Sequence, residues 1–205
     1  MDSVTQALMK DFADSNDLTE LASDKQFEHF AAYSVVSSRF TEEFDTNDLV
    51  VGDGGDLNVD SFAVKVNGRL ASDAEYIDDV LALNGYLDAE FIIIQAKSSS
   101  SFDGAALIAL GDNLVNEVFA PTQKLPVNDD VKRLIEIKER ILQNSSKLKD
   151  NPVCRVYYAC TGNWAEDSYL VEIIKRKRQD LLNTNLFSDV AFEPLGARQV
   201  QALYR

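Results

Sequence analysis

One histidine and two cysteines stand among 205 residues. That scarcity excludes a thiolate or imidazole zinc centre, which takes four protein ligands or three plus a water. The cysteines, Cys154 and Cys160, lie in the strand-like run "VCRVYYACTG". At a rise of about 3.3 Å per residue they stand roughly 20 Å apart, out of disulfide reach. Any metal here must therefore be a hard ion held by oxygen. Long apolar runs are also missing: none approaches the roughly 20 residues that span a bilayer, and the start "MDSVTQALMKDF" carries no basic segment leading into an apolar stretch. The chain reads as cytoplasmic. With four prolines, no internal repeat and no Pro/Gly linker, nothing divides it into separate cores, and its length suits one compact domain.

Positive charge is scarce in one half only. Residues 1 to 100 carry 6 basic and 20 acidic side chains, a net of −14, whereas residues 101 to 205 carry 14 of each and are neutral. Such acidity argues against nonspecific binding to a polyanion, since phosphate affinity comes from Lys and Arg displacing counterions. Basic residues concentrate only at Lys175 to Arg178, in "IIKRKRQ", which reads as a solvated helix face.

What is present is an α/β pattern. Residues 1 to 22 form a helical or frayed segment. In "SDKQFEHFAAYSVVSSRF", Ser23 or Asp24 can cap a helix, Gln26 takes the capping-box position, and Phe27, Phe30, Ala31 and Val35 share an apolar face. "DLVVG" and "VDSFAVKVNGRL" read as strands, the second closing at an Asn67-Gly68 turn. "SDAEYIDDVLALNG" is a capped helix ending at Gly85. "AEFIIIQAK" has the unbroken apolar character of a central strand covered on both faces. Asp103 to Phe119 reads as a helix, with Ser101 as a candidate cap. Further on come a helix capped at Asn128 or Asp129, the cysteine strand, the "EDSYLVEIIKRKRQDLLNT" helix and the strand "SDVAFEPL". The expected fold is a mixed sheet flanked by helices. Tyr157, Tyr158 and Trp164 read as packing residues.

The stretch "GDGGDLNVDSF", Gly52 to Phe62, concentrates three glycines and three aspartates. Asp56, Asn58 and Asp60 match the start of an EF-hand. However, Ser61 replaces the sixth-position glycine, Asn67 replaces the twelfth-position glutamate, and a strand-like run follows instead of a helix. A phosphate cradle fits no better, because the glycine spacing is wrong, no G-K-[ST] ending follows and three aspartates repel phosphate.

The more informative feature lies 35 residues downstream. Gln95 and Lys97 interrupt an apolar strand, and the two-residue period places them on one sheet face. A lysine there either snorkels to solvent or is paired. If the strand from Val59 is a neighbour, Asp60 joins that face. Asp60, the Gln95 side-chain oxygen and the Ala96 carbonyl can then offer hard ligands to Mg²⁺, with Lys97 orienting or helping to deprotonate a water.

These residues carry a resemblance. "GDGGDLNVDSFAV" with "FIIIQAKSSSSFD" resembles the PD-(D/E)xK nuclease superfamily, in the Mrr-like form whose strand motif ends Q-x-K. "FEHF", "VNGRL", "NGYLDAEFIIIQAKSSSSFDG", "NSSKLKDNPVCRVYYACTG" and "ALYR" are similar to the N-terminal region of abortive infection phage resistance (AIPR) proteins, from about Phe27 onward. The resemblance implies a restriction-endonuclease-like three-layer sandwich over residues 23 to 205, as the N-terminal part of a longer protein. It implies a Mg²⁺- or Mn²⁺-dependent endonuclease acting on nucleic acid, DNA first, in anti-phage defence, with homodimerisation common in such folds.

In that frame Asp60 is the metal-binding aspartate, Gln95 the replacement of the usual glutamate, Lys97 the catalytic lysine, and Glu28 the first-helix glutamate completing the site. Asp56 either shapes the loop or assists the metal. Ser98 and Ser99 either contact phosphate or form a connector. Glu28 otherwise reads as an exposed helix residue, and its neighbour His29 as a surface one, since adjacent helical side chains diverge by about 100°. Two departures from the pattern stand out: Gln95 brings no negative charge, and Asn58 occupies a position where relatives often have glycine. Two other functions compete, a nuclease fold without turnover acting through a C-terminal domain or partner, and a calcium-binding loop.

Overall fold

The computed structural model describes all 205 residues. Its elements are α1 (Ser3–Ser15), α2 (Ser23–Ser37), β1 (Ser61–Val66), β2 (Arg69–Leu70), α3 (Ala74–Asn84), β3 (Ala89–Lys97), α4 (Gly104–Asn113), α5 (Asp129–Gln143), β4 (Val153–Cys160), α6 (Ser168–Leu182), β5 (Asp189–Leu195) and α7 (Ala197–Tyr204). One mixed sheet runs in the order β2-β1-β3-β4-β5. Strand β1 is antiparallel to β2 and β3, and β3, β4 and β5 are parallel.

Strand alternation sorts the core into two clusters, one on each face. Phe62 and Val64 of β1, Phe91 and Ile93 of β3, and Val156 and Tyr158 of β4 point toward α3, α4, α5 and α6. Ala63, Ile92, Ile94, Ala96, Tyr157 and Ala159 point toward α1, α2 and α7. The fold is thus a three-layer α/β sandwich. Its centre is β3, whose unbroken "FIII" run is completely buried, as a strand covered on both faces requires.

Phe27, Phe30, Ala31 and Val35 are all buried and lock α2 against the second face. At roughly 1.5–3 kcal/mol for each large apolar side chain, this burial is what holds α2, because its N-terminus lacks a side-chain cap. The N-terminal segment belongs to the same cluster. Asp2 caps α1, Met9, Phe12 and Ala13 are buried, and Gln201 of α7 donates to Thr5 Oγ1 at 2.8 Å.

Several local expectations need correction. Neither Ser23 nor Asp24 caps α2; Ala22 occupies that position, and Gln26 donates through Nε2 to Leu18 and Thr19 carbonyls instead of closing a capping box. "DLVVG" is not a strand. It follows a 3-10 turn at Thr46–Asp48 and touches β1 only at an isolated Val50–Ser61 bridge, while Leu49 O accepts from Phe62 N and Val51 N donates to Asp60 O. The helix expected over Asp103 to Phe119 is α4 followed by a π-helical turn, Leu114–Val118, and Asp103 rather than Ser101 caps it, accepting from Ala105 N at 2.8 Å.

The basic cluster on α6 is only partly solvated. Lys177 is buried over Gly111 and paired with Asp112 (2.6 Å) and Asp180 (2.9 Å), and Arg178 donates to Val190 O. Helix α7 has no counterpart in the sequence reading. The Asn67-Gly68 turn, the Gly85 end of α3 in the left-handed region and the Asn128 cap of α5 stand where the sequence placed them. No helix is long and apolar enough to cross a membrane.

Candidate functional site

The β1 ladder ends at Ser61 opposite Ile94, so Asp60 is one step past the pairing and faces Gln95 across the sheet. Its backbone stays in register, with Asp60 N donating to Ile94 O at 3.0 Å. Its carboxylate bridges to the next residues of β3. Oδ2 accepts from Ala96 N at 2.7 Å and from Lys97 Nζ at 3.3 Å, which leaves Oδ1 without a protein donor. Because a strand residue points its N–H and C=O to the same side, the Ala96 carbonyl also faces the space where β1 has ended.

Asp60 is almost buried, and burial raises its pKa; the Lys97 charge and the Ala96 amide pull in the opposite direction, and Asp56 raises it slightly further. Lys97 retains side-chain exposure of 40%, so its stem lies on the sheet while its ammonium reaches both Asp60 and solvent.

Gln95 is completely buried, and neither its Oε1 nor its Nε2 has a hydrogen-bond partner. An unpaired buried amide costs roughly 1–3 kcal/mol. Few native positions tolerate that without a function or an additional ligand. On β4, Tyr158 pairs in register with Gln95 and lies on the same sheet face. Burial pushes its phenol up to about 12, so it stands beside the amide as a neutral hydroxyl.

Glu28 and His29 are both buried on α2, which removes the exposed-residue alternative for Glu28 and corrects the surface placement expected for His29. The cause is tertiary: the segment 46–51 folds over α2, and His29 Nδ1 meets Thr46 Oγ1 at 2.8 Å. Burial lowers the His29 pKa. Burial raises that of Glu28, and the negative charge of Asp60 raises it further, so the two carboxyl groups sense each other across the strand end. Lys25, one helical turn before Glu28, counters this by donating to both of its oxygens, at 3.0 and 3.2 Å. Lys25 also reaches Asp53 at 2.5 Å.

The acidic glycine loop is scaffolding except at its end. Asp56 accepts from Asn58 N (2.7 Å), while its backbone carbonyl accepts from Val59 N, so its side chain is committed to turn formation. Leu57 and Asn58 both adopt positive φ, a conformation that asparagine tolerates, and Asn113 of α4 fastens them by donating to Leu57 O and Asn58 Oδ1. At the loop's other end, Asn128 Nδ2 donates to Gly52 O and Asp130 accepts from Gly52 N. Gly55 has no room for a side chain: a Cβ would lie 2.9 Å from Asn128 N.

Ser98 and Ser99 form the connector. Their carbonyls accept from Thr161 Oγ1, and the Ser99 hydroxyl turns inward to Ser101 O. The helix terminus that follows is capped by the Asp103 carboxylate, which accepts from Ala105 N.

The structure therefore brings Asp60, Gln95, Ala96 and Lys97 together, places Glu28 within electrostatic reach of Asp60, and uses Asp56, Ser98 and Ser99 for loop geometry. No group of three or more His, Cys, Asp or Glu side chains is placed to hold a metal. The oxygen set is instead Asp60, the unpaired Gln95 Oε1 and the Ala96 carbonyl, with Glu28 behind its lysine. The orphaned Gln95 oxygen and the free Asp60 Oδ1 fit a hard cation or an ordered water.

A cleft of about 450 Å³ lined by Phe40, Phe44, Phe62 and Tyr76 contains none of these residues. Sequence reasoning missed Lys25, Asn113, Asn128 and Tyr158 as supports. Only Lys25 carried a usable signal, its i,i+3 spacing from Glu28. Comparison of the chain with protein-family models, with curated proteins and with solved structures found no match.

Proposed function

We propose that this chain is a metal-dependent nuclease domain of the restriction-endonuclease-like type, hydrolysing phosphodiester bonds of nucleic acid in anti-phage defence. One observation carries the reading: a nearly buried aspartate at a strand start, bonded to the amide and the ammonium of the next strand's Ala96 and Lys97, beside a buried Gln95 amide that has no partner. The resemblance to PD-(D/E)xK nucleases and to AIPR proteins supports it from the sequence side.

Asp60, Gln95 Oε1 and the Ala96 carbonyl would hold Mg²⁺ or Mn²⁺. When bound, such an ion supplies Lewis-acid polarisation of phosphate and a more acidic water. The chain's own groups do the remainder. Lys97, anchored by Asp60 yet open to solvent, places a positive charge where a phosphate oxygen or attacking water approaches. Asp60 fixes that ammonium and, through Ala96 N, the end of β3. Gln95 adds an oxygen without adding charge, which lessens the repulsion a third carboxylate would impose on Asp60 and Glu28. The acidic N-terminal half otherwise repels the substrate.

The test is cleavage of plasmid DNA and of RNA with Mg²⁺ or Mn²⁺. Lys97→Ala and Asp60→Ala are expected to lose about 10²- to 10⁴-fold in rate. Equal degradation by wild type and Lys97→Ala sinks the assignment. A second reading, a nuclease fold that binds without turnover through a further domain or partner, is favoured by one feature: both site carboxylates are already neutralised by internal lysines. Specific nucleic-acid binding that persists in EDTA, with no metal-stimulated cleavage, would select it.

A further inference from the structure

Lys25 is unusually placed for a surface lysine. Its ammonium stands nearly equidistant from the two Glu28 oxygens, at 3.0 and 3.2 Å, which is the position a cation would take at a bidentate carboxylate. Glu28 is buried, and no other cation bonds its carboxylate. The second anchor of Lys25 is Asp53, whose side chain is 83% exposed on the glycine loop and 2.5 Å away. Lys25 and Asp53 line a groove of about 330 Å³ with Gly52 and Asp130, so the ammonium has room to leave Glu28 while it stays on Asp53. Asp60 differs. Its lysine uses Oδ2 only and leaves Oδ1 free, and the unpartnered, completely buried Gln95 faces it across the strand pair.

We propose that Lys25 is the resident cation of Glu28, competing with a divalent ion for that carboxylate and giving up its Glu28 bonds, while keeping its bond to Asp53, when the ion arrives. The inference rests on the metal-dependent reading above. An ammonium and a divalent cation cannot share one carboxylate at close range, since like charges a few ångströms apart repel strongly at a partly buried site. Glu28 therefore joins the site only after exchanging partners. Because Lys25 bonds Asp53 as well as Glu28, ion binding at Glu28 and the Gly52–Asp53 segment are linked through one side chain. Lys25 is thereby a positioning residue for Glu28 rather than a ligand.

The measurement is Mn²⁺ affinity of the intact chain without nucleic acid, read from the electron paramagnetic resonance signal of free Mn²⁺. Lys25→Met is expected to bind about tenfold tighter than wild type, because the competitor is gone. Lys175→Met removes the same charge from an exposed position on α6 and is expected to match wild type. Lys25→Gln, which can still hydrogen-bond Asp53, replaces the methionine variant if that fails to fold.

Affinity of the Lys25 variant equal to or weaker than that of wild type, or a gain matched by Lys175→Met, overturns the proposal. If wild type binds Mn²⁺ and Asp60→Asn abolishes it while Lys25→Met changes nothing, only the role of Lys25 falls. If wild type takes up no Mn²⁺ at millimolar concentration, the metal-dependent reading falls and the competition with it.

Discussion

Asp60 spans the strand end to accept the backbone amide of Ala96 at 2.7 Å, so a side chain completes the sheet ladder where the β1 backbone no longer does. Removing it leaves a buried N–H unpaired and frees Lys97. Asp60→Ala is expected to be less stable than Asp60→Asn by about 1–3 kcal/mol, because asparagine keeps an acceptor for Ala96. Urea midpoints at equal slope measure the gap. Equal midpoints would show that the bond contributes nothing.

Gln95 points the other way. With both amide atoms buried and unpartnered, the apolar replacement Gln95→Met removes a desolvation cost and is expected to raise stability by about 1–2 kcal/mol. Gln95→Glu adds a charge facing Asp60 and is expected to lower the melting temperature at neutral pH, with millimolar Mn²⁺ recovering much of the loss. A methionine variant less stable than wild type would mean that the amide has a partner after all.

The pH dependence of Glu28 has a definite sign. Burial raises its folded-state pKa above the ordinary value of about 4.3, and Lys25 offsets that only in part. The group therefore contributes stability below about pH 4.3 that is lost as pH rises through the raised folded value. Glu28→Gln, which cannot ionise, is expected to melt above wild type at pH 8, with the advantage shrinking and disappearing toward pH 4. Melting curves at several pH values in EDTA check this, and an advantage that grows on acidification contradicts it.

Gly162 lies against the Ser98–Ser101 connector, where a Cβ would sit 2.0 Å from Ser100 O. The contact is with backbone, so no rotamer can relieve it. Gly162→Ala is expected to cost roughly 3 kcal/mol or more, by displacing the chain just beyond Lys97. Gly54→Ala meets nothing within 4 Å and bears only the penalty of its φ of +78°, about 1 kcal/mol. Thermal denaturation of the two variants compares a steric cost with a conformational one.

Local rules carried much of this fold. Nine successive residues in "AEFIIIQAK" are apolar but for three, which is enough to make β3 the central strand and to set Gln95 and Lys97 on one face, because strand periodicity is covalent geometry. Asn67-Gly68, Gly85 and Asn128 ended or began their elements where turn and cap chemistry puts them. Tertiary structure decided the remainder. Leu49, Val50 and Val51 have strand composition, yet they make only single contacts along the β1 edge, since the ladder there is interrupted. Helix α2 forms without its expected cap because its buried aromatic face outweighs the lost hydrogen bond. His29 is buried because a segment 17 residues away in sequence folds over it, a long-range fact that no helical period encodes. The site divides in the same way. Sequence spacing put Gln95 beside Lys97, but only packing brought Asp60 to the Ala96 amide, left the Gln95 amide unpaired and set Lys25 on Glu28, because hydrogen-bond satisfaction depends on which chains meet in space.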